Sequence, residues 1–204
     1  MGLYSKFIFP RFYDRVADKP HWIKYRKQQL SRAEGEVLEI GVGTGLNLPH
    51  YPKHVRKITT VDPNLGMNKR LQRRIEELDI EVDKRIIRSE KLPFDDATFH
   101  CVVSTMTLCS IPDVEQAMNE LFRVLRPGGR LLFLEHGLSP DQRVSKWQRR
   151  LNWLQGKIAD GCRLDLDVRG LLASQPFEFV EMDNFYMEKT PRTHGYMYRG
   201  MAVK

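Results

Sequence analysis

Cysteine is scarce in this chain and scattered. Cys101, Cys109 and Cys162 are the only three in 204 residues, and no Cys-x-x-Cys pair occurs. An odd number at wide spacing argues against a disulfide framework and for free thiols in a reducing compartment. Long apolar runs are also missing; none approaches the ~20 residues needed to cross a bilayer. The amino end, MGLYSKFIFPRFYDRV, holds no signal-peptide core. The expected location is therefore cytoplasmic, with association at a membrane surface left open. No internal repeat or low-complexity tract is present. Without a His-Glu-x-x-His run or paired cysteines, no metal is expected.

The charge that is present is uneven. Lys and Arg number 33 against 26 Asp and Glu, a net +7. Residues 1–32 carry eight Lys and Arg against two Asp, interleaved with Tyr4, Phe7, Phe9, Phe12, Tyr13, Trp22 and Tyr25. Such a segment suits two readings: contact with anionic lipid or an acidic partner, or short helices packing their aromatics on the domain beneath a solvated basic face. The second is favoured. The length fits one domain with a sizeable core. We expect a helical, aromatic and basic cap over 1–34 and a main unit over 35–204, together forming one globular body.

Periodicity orders the rest. EVLEIG (36–41) and KITTVD (57–62) read as short buried strands, and residues 66–79 space Met67, Leu71, Ile75 and Leu78 at helical intervals. VDKRIIRSE (82–90) holds a third strand and FHCVVST (99–105) a fourth. Asp113 with Gln116 resembles a capping box opening a helix over 114–125, which RPGG (126–129) stops. RLLFLEH (130–136) is a fifth strand, and Ser139 with Gln142 is expected to cap a long helix reaching Ala159. Alternating strands and helices predict a parallel sheet covered on both faces. FEFVEMDNFY (177–186) and YMYRGMAVK (196–204) have no helical pattern between them, and they read as an antiparallel pair finishing that sheet.

VLEIGVGTGLNLPHY (37–51) sets Gly41, Gly43 and Gly45 at alternate positions just after an apolar run. Glycine loses more backbone freedom on folding than any other residue, so the cluster needs a cause. Either the turn takes angles that a Cβ forbids, or a ligand passes against the main chain. Leu46 stands where a G-x-G-x-x-G run would place its last glycine, and Asp62 ends the next strand. A strand, a glycine-rich turn and such an acid form a site for a ribose-bearing cofactor.

LEIGVGTG (38–45), TVDPN (60–64), SEKLPFDDATFHCVVST (89–105), LFRVLRPGGRLLFLEHG (121–137) and the terminal strand pair resemble, in that order, the class I S-adenosylmethionine (SAM) methyltransferases. The resemblance covers nearly the whole chain. It implies an α/β, Rossmann-like fold: a mostly parallel sheet, helices on both faces and an antiparallel final strand. It also implies SAM as cofactor and S-adenosylhomocysteine as product. By that resemblance Glu39 or its surroundings hold the amino-acid portion, and Gly41, Gly43 and Gly45 let the backbone pass against the ligand. Asp62 accepts from both ribose hydroxyls; Pro63, Ser89, Glu90 and Thr105 complete the expected contacts. One block departs from the family. Its Asp-Ala-Glu before LPF, whose Asp contacts the adenine amino group, is Arg88-Ser89-Glu90 here. Main-chain groups near Ser89 are expected to read the adenine edge instead.

Methyl transfer from a sulfonium is an in-line displacement, so the protein mainly aligns the nucleophile and excludes water. Thr105, Met106, Thr107, Cys109, Glu135 and His136 follow strands four and five and are the candidates to face the acceptor. His136 is the candidate base, its ordinary pKa lying nearest neutrality, with Glu135 as an orienting group or simply a paired carboxylate and Thr107 beside them. The alternative for His136 is a strand-end histidine bonded to the next loop. Cys109 and Cys162 read as small buried residues, and Asp160 as a cap of the turn at DGC (160–162) or a group reaching the acceptor. No [DN]-P-P-[YF] run follows strand four, so nucleic acid is not an expected partner. STMTLCSIPD (104–113), RPGGRLLFLEHG, DGC and MAVK resemble a thiol S-methyltransferase group and its bacterial relatives. That implies a small lipophilic acceptor, a thiol first. A quinone carbon, a phospholipid amine, or a catalytically silent SAM-binding regulator stay open as alternatives. The acceptor pocket is expected beneath the amino-terminal aromatics and the helix carrying Trp147, Leu151, Trp153 and Leu154.

Overall fold

Val37–Ile40 is only four residues long and buried at every one, which a strand achieves inside a sheet covered on both faces. The computed structural model, which describes residues 9–204, places it there. In chain order the elements are α1 (Phe9–Ala17), α2 (Pro20–Leu30), β1 (Val37–Ile40), β2 (Lys57–Val61), α3 (Asn68–Glu76), β3 (Glu81–Arg85) and β4 (Phe99–Thr105). There follow α4 (Val114–Val124), β5 (Leu125–His136), α5 (Gln142–Ile158), α6 (Val168–Ala173), β6 (Phe179–Tyr186), α7 (Arg192–Gly195) and β7 (Tyr196–Val203). The strand order is β3-β2-β1-β4-β5-β7-β6. The first five strands pair in parallel, whereas β7 runs antiparallel to both β5 and β6.

Alternation along the strands divides the core. Leu38, Ile40, Val102, Leu131 and Phe133 pack with Met118 and Leu121 of α4 and Leu171 of α6. Val37, Ile58, Cys101, Val103 and Leu132 pack with Leu30 of α2 and Leu71 of α3. Trp22 of α2 joins Leu134, Met187 and Met197, and Tyr25 stacks on Phe185 at 4.4 Å. Trp22 and Tyr25 of the basic segment thus pack on the sheet. Residues 1–8, with Tyr4, Lys6 and Phe7, lie outside the described residues, as do the side chains of Phe9 and Phe12. Among the described residues no helix is long and apolar enough to cross a membrane.

Three local readings change. The cap of α5 is Asp141, which accepts from Arg143 N and Val144 N, while Ser139 Oγ instead accepts from Asp141 N one step earlier. β5 begins at Leu125, because RPGG loops out of register: Phe99 pairs with Leu125 and Cys101 with Arg130. Helix α6 and the single turn α7 had no periodic signal, being six and four residues long. Asp113 does cap α4, accepting from Gln116 N at 3.0 Å.

Phe133 is fully buried, with its ring over Gly200, where a Cβ would come within 2.7 Å of the ring's tip. Phe133→Ala is expected to lower unfolding stability by about 3–5 kcal/mol. Urea denaturation checks this, and a loss below about 1 kcal/mol would contradict the packing described.

Candidate active site

Strand order reverses between β1 and β4, and the loops leaving the two strands part there, opening a crevice at their carboxyl ends. A cavity of about 160 Å³ occupies it. Gly41, Gly43, Val61, Asp62, Pro63, Asn64 and Met67 form one side; Arg88, Ser89 and Glu90 form the edge. Met106, Thr107, Ser110, Ile111, Pro112 and Asp160 form the far side, and Tyr13 of α1 completes the lining.

The three glycines serve three purposes. Gly41 has φ +61, and a Cβ there would collide with the Thr107 side chain, so its absence lets the loop after β4 close on the turn. Gly43 has φ +55, and a Cβ on it would meet only Gly41 O, at 3.8 Å; its bare backbone faces the cavity. Gly45 packs instead against Leu71 and Leu48 and does not line the cavity.

Asp62 joins the turn to the end of β2. Its Oδ2 accepts from Gly43 N at 2.8 Å and its Oδ1 from Asn64 N at 2.7 Å. Each carboxylate oxygen has two lone pairs, so one site per oxygen remains for an incoming pair of hydroxyls. Burial raises its pKa, against the lowering by those two N–H bonds. Across the rim Asn64 Nδ2 donates to Asp160 Oδ2 at 2.6 Å. Above it, Asp14 of α1 accepts from Thr44 Oγ1 at 2.5 Å and from Arg70 Nη1 at 2.6 Å, which fixes α1 and its Tyr13 over the glycine turn.

Glu39 and Thr105 lie beneath this wall rather than on it. Glu39 accepts from Asn47 Nδ2 at 3.0 Å and from Tyr51 OH at 2.7 Å. Asn47 also donates to Thr105 Oγ1 and accepts from Arg26 Nη1. Thr105 Oγ1 in turn donates to Gln29, whose amide reaches Ser104 O and Leu132 O. Desolvation lifts the Glu39 pKa from its ordinary 4.5 to about 7, against the lowering by the Tyr51 and Asn47 bonds.

Glu135 is fully buried and braces the next loop, accepting from Ser104 Oγ at 2.7 Å and from Thr107 N on both oxygens. Burial lifts its pKa to about 7 as well. Thr107 lines the cavity, but its hydroxyl donates inward, to Thr105 O at 3.1 Å. Met106, at φ +55, and Asp160, at φ +51, hold left-handed backbone where the chain turns around the cavity, the kind of strain that collects at sites of function. His136 is buried behind the wall, with Nε2 3.1 Å from Cys162 Sγ.

Of the residues singled out from sequence, Gly41, Gly43, Asp62, Pro63, Ser89, Glu90 and Thr107 share the cavity. Glu39, Gly45, Thr105, Glu135 and His136 do not line it. The expected lid on α5 is a correction: Trp147 and Trp153 are 54% and 67% exposed and none of the four α5 residues lines the cavity, because that face of the helix looks to solvent. Met106 and Asp160, named as candidates to face or reach the acceptor, line the cavity too, and Tyr13 belongs to the amino-terminal aromatics expected over it; Asn64 and Ser110 were missed as wall residues. Only Asn64, next to Asp-Pro in a turn former's place, carried a local signal.

A methyltransferase domain model matches residues 38–133. The chain is 31% identical over 179 residues to the thiol S-methyltransferase TMT1B of Rattus norvegicus, covering 85% of this chain and 73% of that protein. It is 27% identical over 176 residues to the phosphatidylethanolamine N-methyltransferase of Cereibacter sphaeroides, 85% of this chain and 84% of that one. The crystal structure of a SAM-dependent methyltransferase from Thermotoga maritima superimposes with a TM-score of 0.68 at 21% identity, over 97% of this chain and 98% of that one. At that identity the likeness concerns the fold.

Because Glu39 holds a proton up to about pH 7 when folded but only to its ordinary 4.5 when unfolded, the folded chain binds more protons between those values. Stability therefore falls as pH rises through that window. Glu39→Gln removes this contribution, at most about 3 kcal/mol. Urea midpoints at pH 5 and pH 8 are expected to fall less with pH in the variant than in the wild type; parallel falls would refute the assignment.

Proposed function

Starting from a chain that belongs to the class I SAM-dependent methyltransferases, we propose that it methylates the sulfur of a small lipophilic thiol. The observation that carries this reading is the 31% identity, over 85% of the chain, to a thiol S-methyltransferase. The far wall supports it: Met106, Ile111 and Pro112 with Tyr13 and Met67 offer apolar surface, and no histidine is among the described residues that line the cavity. A thiol needs little help to react, since the thiolate is a strong nucleophile and part of it is present near neutral pH.

The residues present fit the methyl donor. The open backbone at Gly43 leaves a cradle that a Cβ would fill, and Asp62 keeps one acceptor site on each oxygen. When bound, SAM supplies a methyl group on a sulfonium whose leaving group is a neutral thioether. Gly41 and Gly43 would bring main chain against it, Asp62 would accept from the ribose hydroxyls, and Ser89 and Glu90 would border the base. Arg88, 3.7 Å from Glu90, borders the same edge of the cavity. Met106 and Thr107, on a loop braced by Glu135, would hold the acceptor in line, and Tyr13 on its anchored helix would keep water out.

The similarity to a phosphatidylethanolamine N-methyltransferase favours a lipid amine as the second reading. Incubation of the full chain with methyl-labelled SAM and a panel of alkyl and aryl thiols, quinones and phosphatidylethanolamine is expected to give labelled thioethers. Label only on the amine or on a quinone carbon would replace the thiol reading; tight SAM binding without any product would point to a silent binder. Asp62→Asn should weaken SAM binding by calorimetry about 10- to 100-fold, as expected for lost hydrogen bonds to a charged group. Wild-type affinity in a folded variant would remove Asp62 from the donor site.

A further inference from the structure

Two turns that carry the far wall meet behind it. Cys109 lies in the 3-10 turn Leu108–Ser110, and Cys162 in the turn after α5. Arg163 N donates to Cys109 O at 2.9 Å, so the backbones themselves are joined. Between them stands His136, the last residue of β5. The three side chains are 1%, 8% and 3% exposed, and their sulfur and nitrogen atoms all lie within 4.8 Å of one another.

We propose that Cys109, His136 and Cys162 form a binding site for a soft divalent metal ion, zinc in the first place. Two thiolates and a neutral imidazole are donors that such an ion prefers. Tetrahedral zinc, with Zn–S about 2.3 Å and Zn–N about 2.0 Å, sets its donors roughly 3.5–3.8 Å apart, within the separation found here. The imidazole turns Nε2 to the cluster, 3.1 Å from Cys162 Sγ, and its Nδ1 has no hydrogen-bond partner among the described residues. Gln155 Nε2 donates to Cys162 Sγ at 3.6 Å, the kind of outer contact that orients a ligand. Three protein donors leave the fourth position to water or a small donor. The third cysteine, Cys101, sits in the opposite core, where its Sγ donates to Val102 O at 3.9 Å.

The ion's role is to clamp the wall, not to carry the methyl group. Ser110 and Asp160, adjacent to and two residues from the ligands, both line the cavity. Metal occupancy therefore ties the turn after β4 to the turn after α5. The three residues come from distant segments of the chain and form no short spacing pattern.

The full chain, reduced and stripped with a chelator, is titrated with Co²⁺ and followed by absorption. One equivalent is expected to bind with a thiolate-to-cobalt band in the near ultraviolet, which Zn²⁺ bleaches. Cys109→Ser, Cys162→Ser and His136→Gln should each weaken Co²⁺ binding at least about 100-fold, while Cys101→Ala retains the band. A folded wild type without the band, or a band that survives Cys109→Ser with Cys162→Ser, overturns the proposal. Should those variants not fold, the melting temperature of the wild type decides: one equivalent of Zn²⁺ raises it, and no rise overturns the site. Neither readout uses methyl transfer, so failure here leaves the proposed activity standing.

Discussion

A carboxyl group buried on β1 is the constraint around which the rest is arranged. Glu39 cannot be left unpaired in that position, and its partners are drawn from everywhere the site needs support. Tyr51 and Asn47 come from the loop that follows the glycine turn, Thr105 from β4 through Asn47, and Arg26 and Gln29 from α2. That loop contains no α-helix, only the short turn Leu48–His50. Polar bonds therefore do the work that a packed helix does elsewhere in α/β sheets. Each member bonds the next, so the network couples these segments, although Nε and Nη2 of the buried Arg26 have no hydrogen-bond partner among the described residues.

Above that brace the cavity is built mostly from main chain. Gly43 N and Asn64 N fix Asp62, and the Glu135 carboxylate fixes Thr107 N. Side chains that bind one another below leave backbone and a few acceptors exposed above. Helix α1 closes the top through Asp14, which binds Thr44 in the turn and Arg70 in α3. The basic amino-terminal segment thus reaches the site through one of its two acids. Its cations take several roles; Arg26 is buried in the network, and Arg32 pairs with Glu181 of β6 at 2.8 Å.

The far side is built differently. Its wall residues belong to turns that hold sulfur and imidazole at their backs, and Glu135 and His136, neighbours on β5, serve opposite directions. Alternation along a strand sends Glu135 to brace the loop after β4 and His136 to the cysteines. Side chains adjacent in sequence therefore support two separate parts of one cavity.

Local patterns were enough to determine much of this protein. The β-branched run Phe99–Thr105, the helical spacing of Leu71 and Ile75, the glycine cluster and Asp62 at the end of β2 are all signals within a few residues, and the sheet, the crevice and half its lining followed from them. The cap at Asp141 rather than Ser139 shows how close such signals can compete. Tertiary structure alone decided which polar groups were free. Glu39 and Thr105 have the chemistry to meet a ligand, yet Asn47 occupies both and Gln29, 76 residues from Thr105, binds its hydroxyl. Trp147 and Trp153 have the hydrophobicity of a lid, yet stand on an exposed helix face under Arg150 and Lys157. Cys109, His136 and Cys162 share no spacing that a sequence reveals. What a side chain could do is written in its own identity, but what it does depends on partners that only folding brings within bonding distance.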